Sequence, residues 1–360
     1  MLQPNTLHPH AQRVIADNTT VVIDLSSRTS RAGLMSTEFP DTAGPRISVE
    51  SSGIARGSIE DVECVESVVR EVLYGQAGWP EQPLPGYNRN IVLVEPPLQP
   101  KAMRERLAKL FFETFNVTNY FSIDAAVASL YAVGKTSGIV VDVGYDRVDV
   151  TPVLEGVVHA SSAVRIAGFG GKKMTEMIAA KHGLGYEEAE AKKRGWRVMG
   201  DETAKTPDEA AAAKFAADEN SNVEELKELE DLMGDEISDR ISDIGSACIN
   251  ASIVALVAGE REWRKTLIEG ILVCGGGSKV AGLGDRIYRD IMEKHSSGFK
   301  PGFLVVPEHM PPELTTEYAS WYGGHLIATV VMNPSVVQKH CVTRAEYKEH
   351  GTKAVWRKLT

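Results

Sequence analysis

Ser129-Leu-Tyr-Ala-Val-Gly134-Lys-Thr-Ser-Gly138-Ile-Val-Val-Asp142-Val-Gly144 is the stretch on which the fold turns. An alanine-rich helix, predicted over about 124–133, stops at Gly134, and a run of β-branched residues then ends in a carboxylate and a glycine. That pattern reads as a buried strand delivering Asp142 to a loop. Val148-Asp-Val-Thr-Pro-Val-Leu154 is its predicted hairpin partner, and Val157-Val-His-Ala160 a third strand. A second unit of the same form, Thr20-Val-Val-Ile-Asp24-Leu25, places its aspartate 118 residues upstream. One such strand end is commonplace. Two, each opening a half of the chain, indicate an internally duplicated α/β protein.

Working outward, Val62, Val65, Val68/Val69 and Val72/Leu73 predict a helix over 60–74, and Ile91-Val-Leu-Val-Glu95 a strand. Pro100 opens a further helix, where its missing N–H costs nothing, with Met103, Leu107, Leu110, Phe111 and Phe115 as the apolar stripe. The thirty or so residues after Leu25 hold Gly33, Pro40, Gly44, Pro45 and Gly53 and no long periodic segment. Residues from about 172 to 260 read almost wholly as helix, the first part ending at Gly183. Asn222 to Arg240 is strongly acidic, with Val223, Leu226, Leu229, Leu232 and Met233 on one face; a solvated amphipathic helix is the plain reading and a partner-binding surface the alternative. Leu267 to Val273 is predicted as a strand entering Cys274-Gly-Gly-Gly-Ser278, where glycines let backbone N–H groups approach a ligand.

Composition narrows the function classes. No run nears the roughly 18 apolar residues of a membrane helix, and residues 1–18 read as a polar tail rather than a secretory signal. Cys64, Cys248, Cys274 and Cys341 are far apart, without any C-x-x-C pair, so they are expected as reduced thiols of an intracellular protein. A net charge of −10 disfavours direct nucleic-acid binding. The nine histidines form no H-E-x-x-H, and neither G-x-S-x-G nor a Walker loop occurs.

In order, Leu110-Phe-Phe-Glu-Thr-Phe-Asn116, the opening stretch, Pro152-Val-Leu-Glu-Gly156, Gly275-Gly-Gly-Ser278, Trp321-Tyr-Gly-Gly324 and Val342-Thr-Arg-Ala-Glu-Tyr-Lys-Glu-His-Gly351 resemble actin and the actin-related proteins over nearly the whole chain. Within that group the likeness is greatest to the plant-type nuclear members of the seventh class, carried by Ala55-Arg-Gly57, Gly78-Trp79, Phe112 to Val117 and Thr151 to Val157. The resemblance implies an α/β, actin-like (ribonuclease H-like duplicated) fold of two lobes around a nucleotide cleft. It divides the chain into a tail 1–18, a first lobe 19–134 with a shortened small subdomain, a second lobe 135–330 with an acidic helical insert at about 184–244, and a segment 331–360 returning to the first lobe.

For ATP the resemblance implies Asp24, Ser26, Ser27 and Arg31 in a first phosphate turn, Asp142 and Gly144 in a second, and Gly275, Gly276 and Gly277 at the nucleoside. Magnesium would meet Asp24 and Asp142 only through water and bound nucleotide. Several positions depart from the family: Ser26 and Arg28 replace glycines, Arg31 a lysine, Tyr145 and Asp146 an aspartate and a glycine, and Glu317 a lysine. ATP binding therefore stays open. Ala125 and Asp149 stand where actin orients its attacking water with glutamine and histidine, so hydrolysis is not expected; a different hydrolytic mechanism with Asp142 or Asp149 as base is the alternative. The short Gly33–Gly53 interval and the helical 184–244 region imply lost filament contacts.

The function implied is a non-polymerising structural subunit of a nuclear chromatin-remodelling complex, with actin or another actin-related protein as a further partner. A helical segment of the remodeller ATPase would lie in a groove lined by Tyr131, Gly134, Thr136, Leu326, Ile327 and Val330, although a simple buried helix face explains the last three equally well. The rivals are a cytoplasmic pointed-end capping subunit of dynactin and an active ATPase of the wider superfamily.

Overall fold

A computed structural model of the chain describes residues 20–35, 45, 47–50, 59, 61–74, 89–194, 235–254, 261–280, 283–294, 300–304 and 312–358. The predicted tail and most of the acidic helix lie outside them. Two compact units are present: 1–125 with 324–360, and 126–323. The divisions thus fall at Ala125/Ala126 and Gly323/Gly324, where the sequence reading placed them at 134/135 and 330/331.

The first unit is built on a six-stranded sheet. β1 (Thr20–Asp24) is wholly buried; it pairs antiparallel with β2 (Thr29–Leu34), which pairs with β3 (Ile47–Glu50). Helix α1 (Val62–Tyr74) buries Val65, Val68, Val69, Val72 and Leu73, the stripe its spacing predicts. β4 (Asn90–Glu95) runs parallel to β1, and β5 (Asn119–Asp124) parallel to β4. Between them α2 (Lys101–Lys109) follows Pro100 and widens into a π-turn over Leu110–Thr114. That wider turn buries three consecutive residues, Leu110, Phe111 and Phe112, and Phe111 stacks on Tyr120 at 5.2 Å.

The second unit is reached through α3 (Ala125–Ala132), ended by Gly134 at φ +69°. β6 (Gly138–Val143) forms an antiparallel hairpin with β7 (Arg147–Leu154), whose far edge carries β8 (Val157–Val158) and β9 (Val164–Ala167). Helices α4 (Gly171–His182), α5 (Tyr186–Arg194), α6 (Asp235–Val254) and α7 (Arg261–Ile268) lead to β10 (Ile271–Cys274), parallel to β6, and then to α8 (Leu283–Lys294). The core lies between this sheet and α4, α6, α7 and α8, with Val141, Val150, Ile178, Ile244, Cys248, Leu267 and Ile287 among its residues. The chain returns through α9 (Ala319–Val331) to β11 (Val342–Thr343), α10 (Arg344–His350) and α11 (Lys353–Trp356), and β11 completes the first sheet beside β5.

Two sequence expectations are corrected, and several strands come in addition to those expected. Leu267 and Ile268 are the last turn of α7, and the strand begins only at Ile271; Ile139 donates to the Gly270 carbonyl between the two elements. A short apolar run suits either state, and tertiary packing chose. Of Val157 to Ala160 only the first two residues are strand; His159 lies in neither element, and Ala160 opens a 3-10 turn over Ala160–Ser162. β2, β3 and β9 were not predicted. Neither was β5, whose Asn119, Ser122 and Asp124 break the apolar pattern although Ser122 and Asp124 are buried.

Candidate functional site

The predicted nucleotide residues fall on both units, and each set has its own geometry. In the first, Asp24 ends β1, buried, opposite Arg31 on β2 and Val94 on β4. The turn between the strands is tied down at its start, where the Leu25 N–H donates to the Val94 carbonyl at 3.1 Å. The Ser26 N–H donates to Ser30 Oγ at 3.4 Å. Ser27 Oγ is shut off from solvent with no hydrogen-bond partner, an orphaned hydroxyl of the kind a water or an anion oxygen satisfies.

In the second unit the glycine turn and the hairpin turn lie against each other. Gly275 adopts φ +90°, and a Cβ there would overlap Asp142 Oδ1. A Cβ on Gly277 would come within 2.7 Å of Val143 Cγ1 and 2.9 Å of the Val143 carbonyl. These two glycines let the turn pack onto the end of β6, while Gly276 faces open space. The Gly275 N–H donates to the Thr316 carbonyl at 3.1 Å. Gly144 donates its N–H to the Arg147 carbonyl at 2.9 Å, closing the hairpin. The carbonyls of Gly144, Tyr145 and Asp146 accept from the N–H groups of Gly171, Lys172 and Gly168 at 3.0, 2.6 and 3.0 Å, which anchors the turn on the start of α4.

Charge around this turn is arranged in a row. Asp142 on β6, Asp149 on β7 and Arg165 on β9 are successive cross-strand partners and so share one face. Asp149 is 3% exposed. Its Oδ2 accepts from Arg147 Nε at 2.6 Å, and its Oδ1 from Arg165 Nε at 2.6 Å. Arg147 also lies 3.7 Å from Asp146. Burial alone would lower the Arg147 pKa, but Asp149, Asp142 and Asp146 more than offset that and hold it above its ordinary value. Among the described residues no three His, Cys, Asp or Glu side chains are grouped to hold a metal ion. At the other end Lys279, just past the glycine turn, is ion-paired with Glu317.

The predicted groove residues also divide between the units. Tyr131 is half-buried; a Cβ on Gly156 would sit 2.6 Å from its hydroxyl, and the Gly156 N–H donates to the Thr136 carbonyl at 2.7 Å. Gly134 and Thr136 are exposed. In the first unit Leu326 and Ile327 are half-buried and Val330 is 57% exposed.

The actin family profile matches residues 41–229 and 238–360. This chain belongs to the actin family. Actin-related protein 7 of Arabidopsis thaliana is 31% identical to it, over 91% of this chain and 89% of the relative. Actin-related protein 7 of Oryza sativa, in subspecies indica and japonica, is 29% identical, over 94% of this chain and 99% of the relative. The profile match begins downstream of the Asp24–Arg31 turn. No helix among the described residues of this actin-family chain is long and apolar enough to cross a membrane.

Sequence reasoning singled out Asp146, Asp149 and Glu317 as departures and missed the cations that answer them: Arg147, Arg165 and Lys279. Arg147 was legible, since Arg147-Val-Asp149 alternates within a strand and puts both side chains on one face. Arg165 was not, because it depends on β9, and Lys279 meets Glu317 only in the folded unit.

Proposed function

We propose that this actin-family chain is a non-polymerising structural subunit of a nuclear chromatin-remodelling complex and binds a long helix of the remodeller ATPase. The observation that carries the reading is α9, where Val330 stands 57% exposed one turn beyond half-buried Leu326 and Ile327. Apolar side chains at i, i+1 and i+4 are what the apolar face of an amphipathic helix packs against. Relatives named actin-related protein 7 support membership of the same group.

Catalysis has no place in this reading. Ala125 offers only a methyl group, and both Asp149 oxygens are engaged by guanidinium groups, so neither orients a water. ATP, with magnesium riding on it, would be a ligand at most. A net charge of −10 leaves DNA contacts to other subunits.

The test is capture of the tagged full chain from native nuclear extract, with partners identified by mass spectrometry. The expected result is a helicase-like remodelling ATPase, lost in Val330→Asp while thermal stability is unchanged. Recovery of dynein adaptors with a short actin-like filament would refute the reading.

A further inference from the structure

The two charge clusters of the second unit lie at the two ends of the stretch the family resemblance assigns to nucleotide. At the hairpin turn, Arg147 stands amid Asp142, Asp146 and Asp149, and its guanidinium NH1 would lie 3.9 Å from a Cβ placed on Gly144. It therefore lies beside the backbone that a phosphate would approach. The same Gly144 N–H is already spent on the Arg147 carbonyl. At the glycine turn, Lys279 bonds Glu317, and the Gly275 N–H is spent on Thr316. Gly275 and Gly277 are filled from behind by the end of β6, so two of the three glycines serve packing.

We propose that Arg147 is a built-in cation which, with Arg165, holds the second unit's half of the nucleotide site in place, so that the chain keeps its structure without nucleoside triphosphate or divalent metal. A nucleotide site of this kind ordinarily gathers carboxylates whose repulsion is relieved when metal and phosphates arrive. Here the relief is covalently attached. Asp142 and Asp149, directly opposite on adjacent strands, would repel. Arg147 and Arg165 neutralise that pair, and Arg147 also lies 3.7 Å from Asp146. The orphaned Ser27 hydroxyl belongs to the first unit and does not alter this balance. The inference deepens the structural-subunit reading and rests on it for the meaning of a site that no longer exchanges ligand.

The test is thermal unfolding of the purified full chain in EDTA and in millimolar ATP with magnesium. The expected melting temperatures are the same. A nucleotide present at about a hundred times its Kd would raise the midpoint by roughly 5 °C or more, and such a rise overturns the proposal. Arg147→Gln is expected to lower the midpoint by several degrees or abolish folding, with Arg147→Lys, which keeps the charge, falling between it and the wild type. An unchanged midpoint in Arg147→Gln would also overturn it. Failure here is separable from failure of the functional reading: a nucleotide-stabilised chain that still captures its remodeller partner defeats only this inference, and a ligand-indifferent chain that captures none defeats only that reading.

Discussion

Glu95, at the end of β4, is closed off from solvent, and its carboxyl is pushed up to about 7. Burial is the main cause; Arg104 at 2.7 Å pulls the other way, and Asp124, its partner on β5, adds repulsion. The folded value lies above the ordinary 4.5, so the folded state binds this proton more tightly than the unfolded chain does. The resulting stability is fully present below about 4.5 and is lost as the pH rises through about 7. Its full size is about 3 kcal/mol. In urea unfolding, Glu95→Gln, which mimics the protonated acid, should lose about 2–3 kcal/mol less than the wild type between pH 4.5 and 7.5. Identical slopes in the two proteins would show that Glu95 is ionised throughout.

Elements set what a side chain is worth. Asp149 is held by two arginines from a row crossing β6, β7 and β9, and removing it takes from the Arg147 guanidinium, itself only 6% exposed, its 2.6 Å partner and leaves it the more distant Asp146 at 3.7 Å. Asp149→Ala should therefore cost about 3–5 kcal/mol in chemical denaturation. Glu66→Ala breaks a pair on the solvent face of α1, where Arg70 is 55% exposed, and should cost no more than about 0.5 kcal/mol. Equal costs would remove the case for the row. At this scale β1, β4, β6, β7 and α1 were legible from β-branched runs and the 3.6-residue stripe, and helix ends from Gly134 and Gly183, both at positive φ. β5 was not, because its buried polar residues make sense only beside β4 and β11.

For the whole molecule, the chain leaves the first unit at Ala125 and re-enters it at Gly324, so that unit depends on residues distant in sequence. Val342 pairs with Tyr120, Tyr347 stacks on Phe112 at 4.5 Å, and the Arg344 Nε–H donates to the Val117 carbonyl at 2.9 Å. Trp356 Nε1–H donates to Glu105, and Val355 is fully buried. Deleting 341–360 exposes Phe112 and Tyr120 and removes an edge strand. Calorimetry should then show the first unit's transition lost or shifted well downward, while the second unit, continuous over 126–323, keeps its own. Equal downward shifts of both transitions would show that the two units unfold together.

What this sequence determined by itself is the duplicated strand-and-aspartate plan, the strands β1, β4, β6 and β7, the helices α1 to α4, and the family, because periodicity and ordered motifs are local properties of the chain. The tertiary structure alone decided the charge pairs that cross between elements. Arg165 meets Asp149, and Lys279 meets Glu317, only after strands and turns far apart in the chain are brought together, and no spacing rule encodes that proximity. The same holds for Leu267 and Ile268, an apolar pair equally suited to strand or helix until packing against the sheet chose between them.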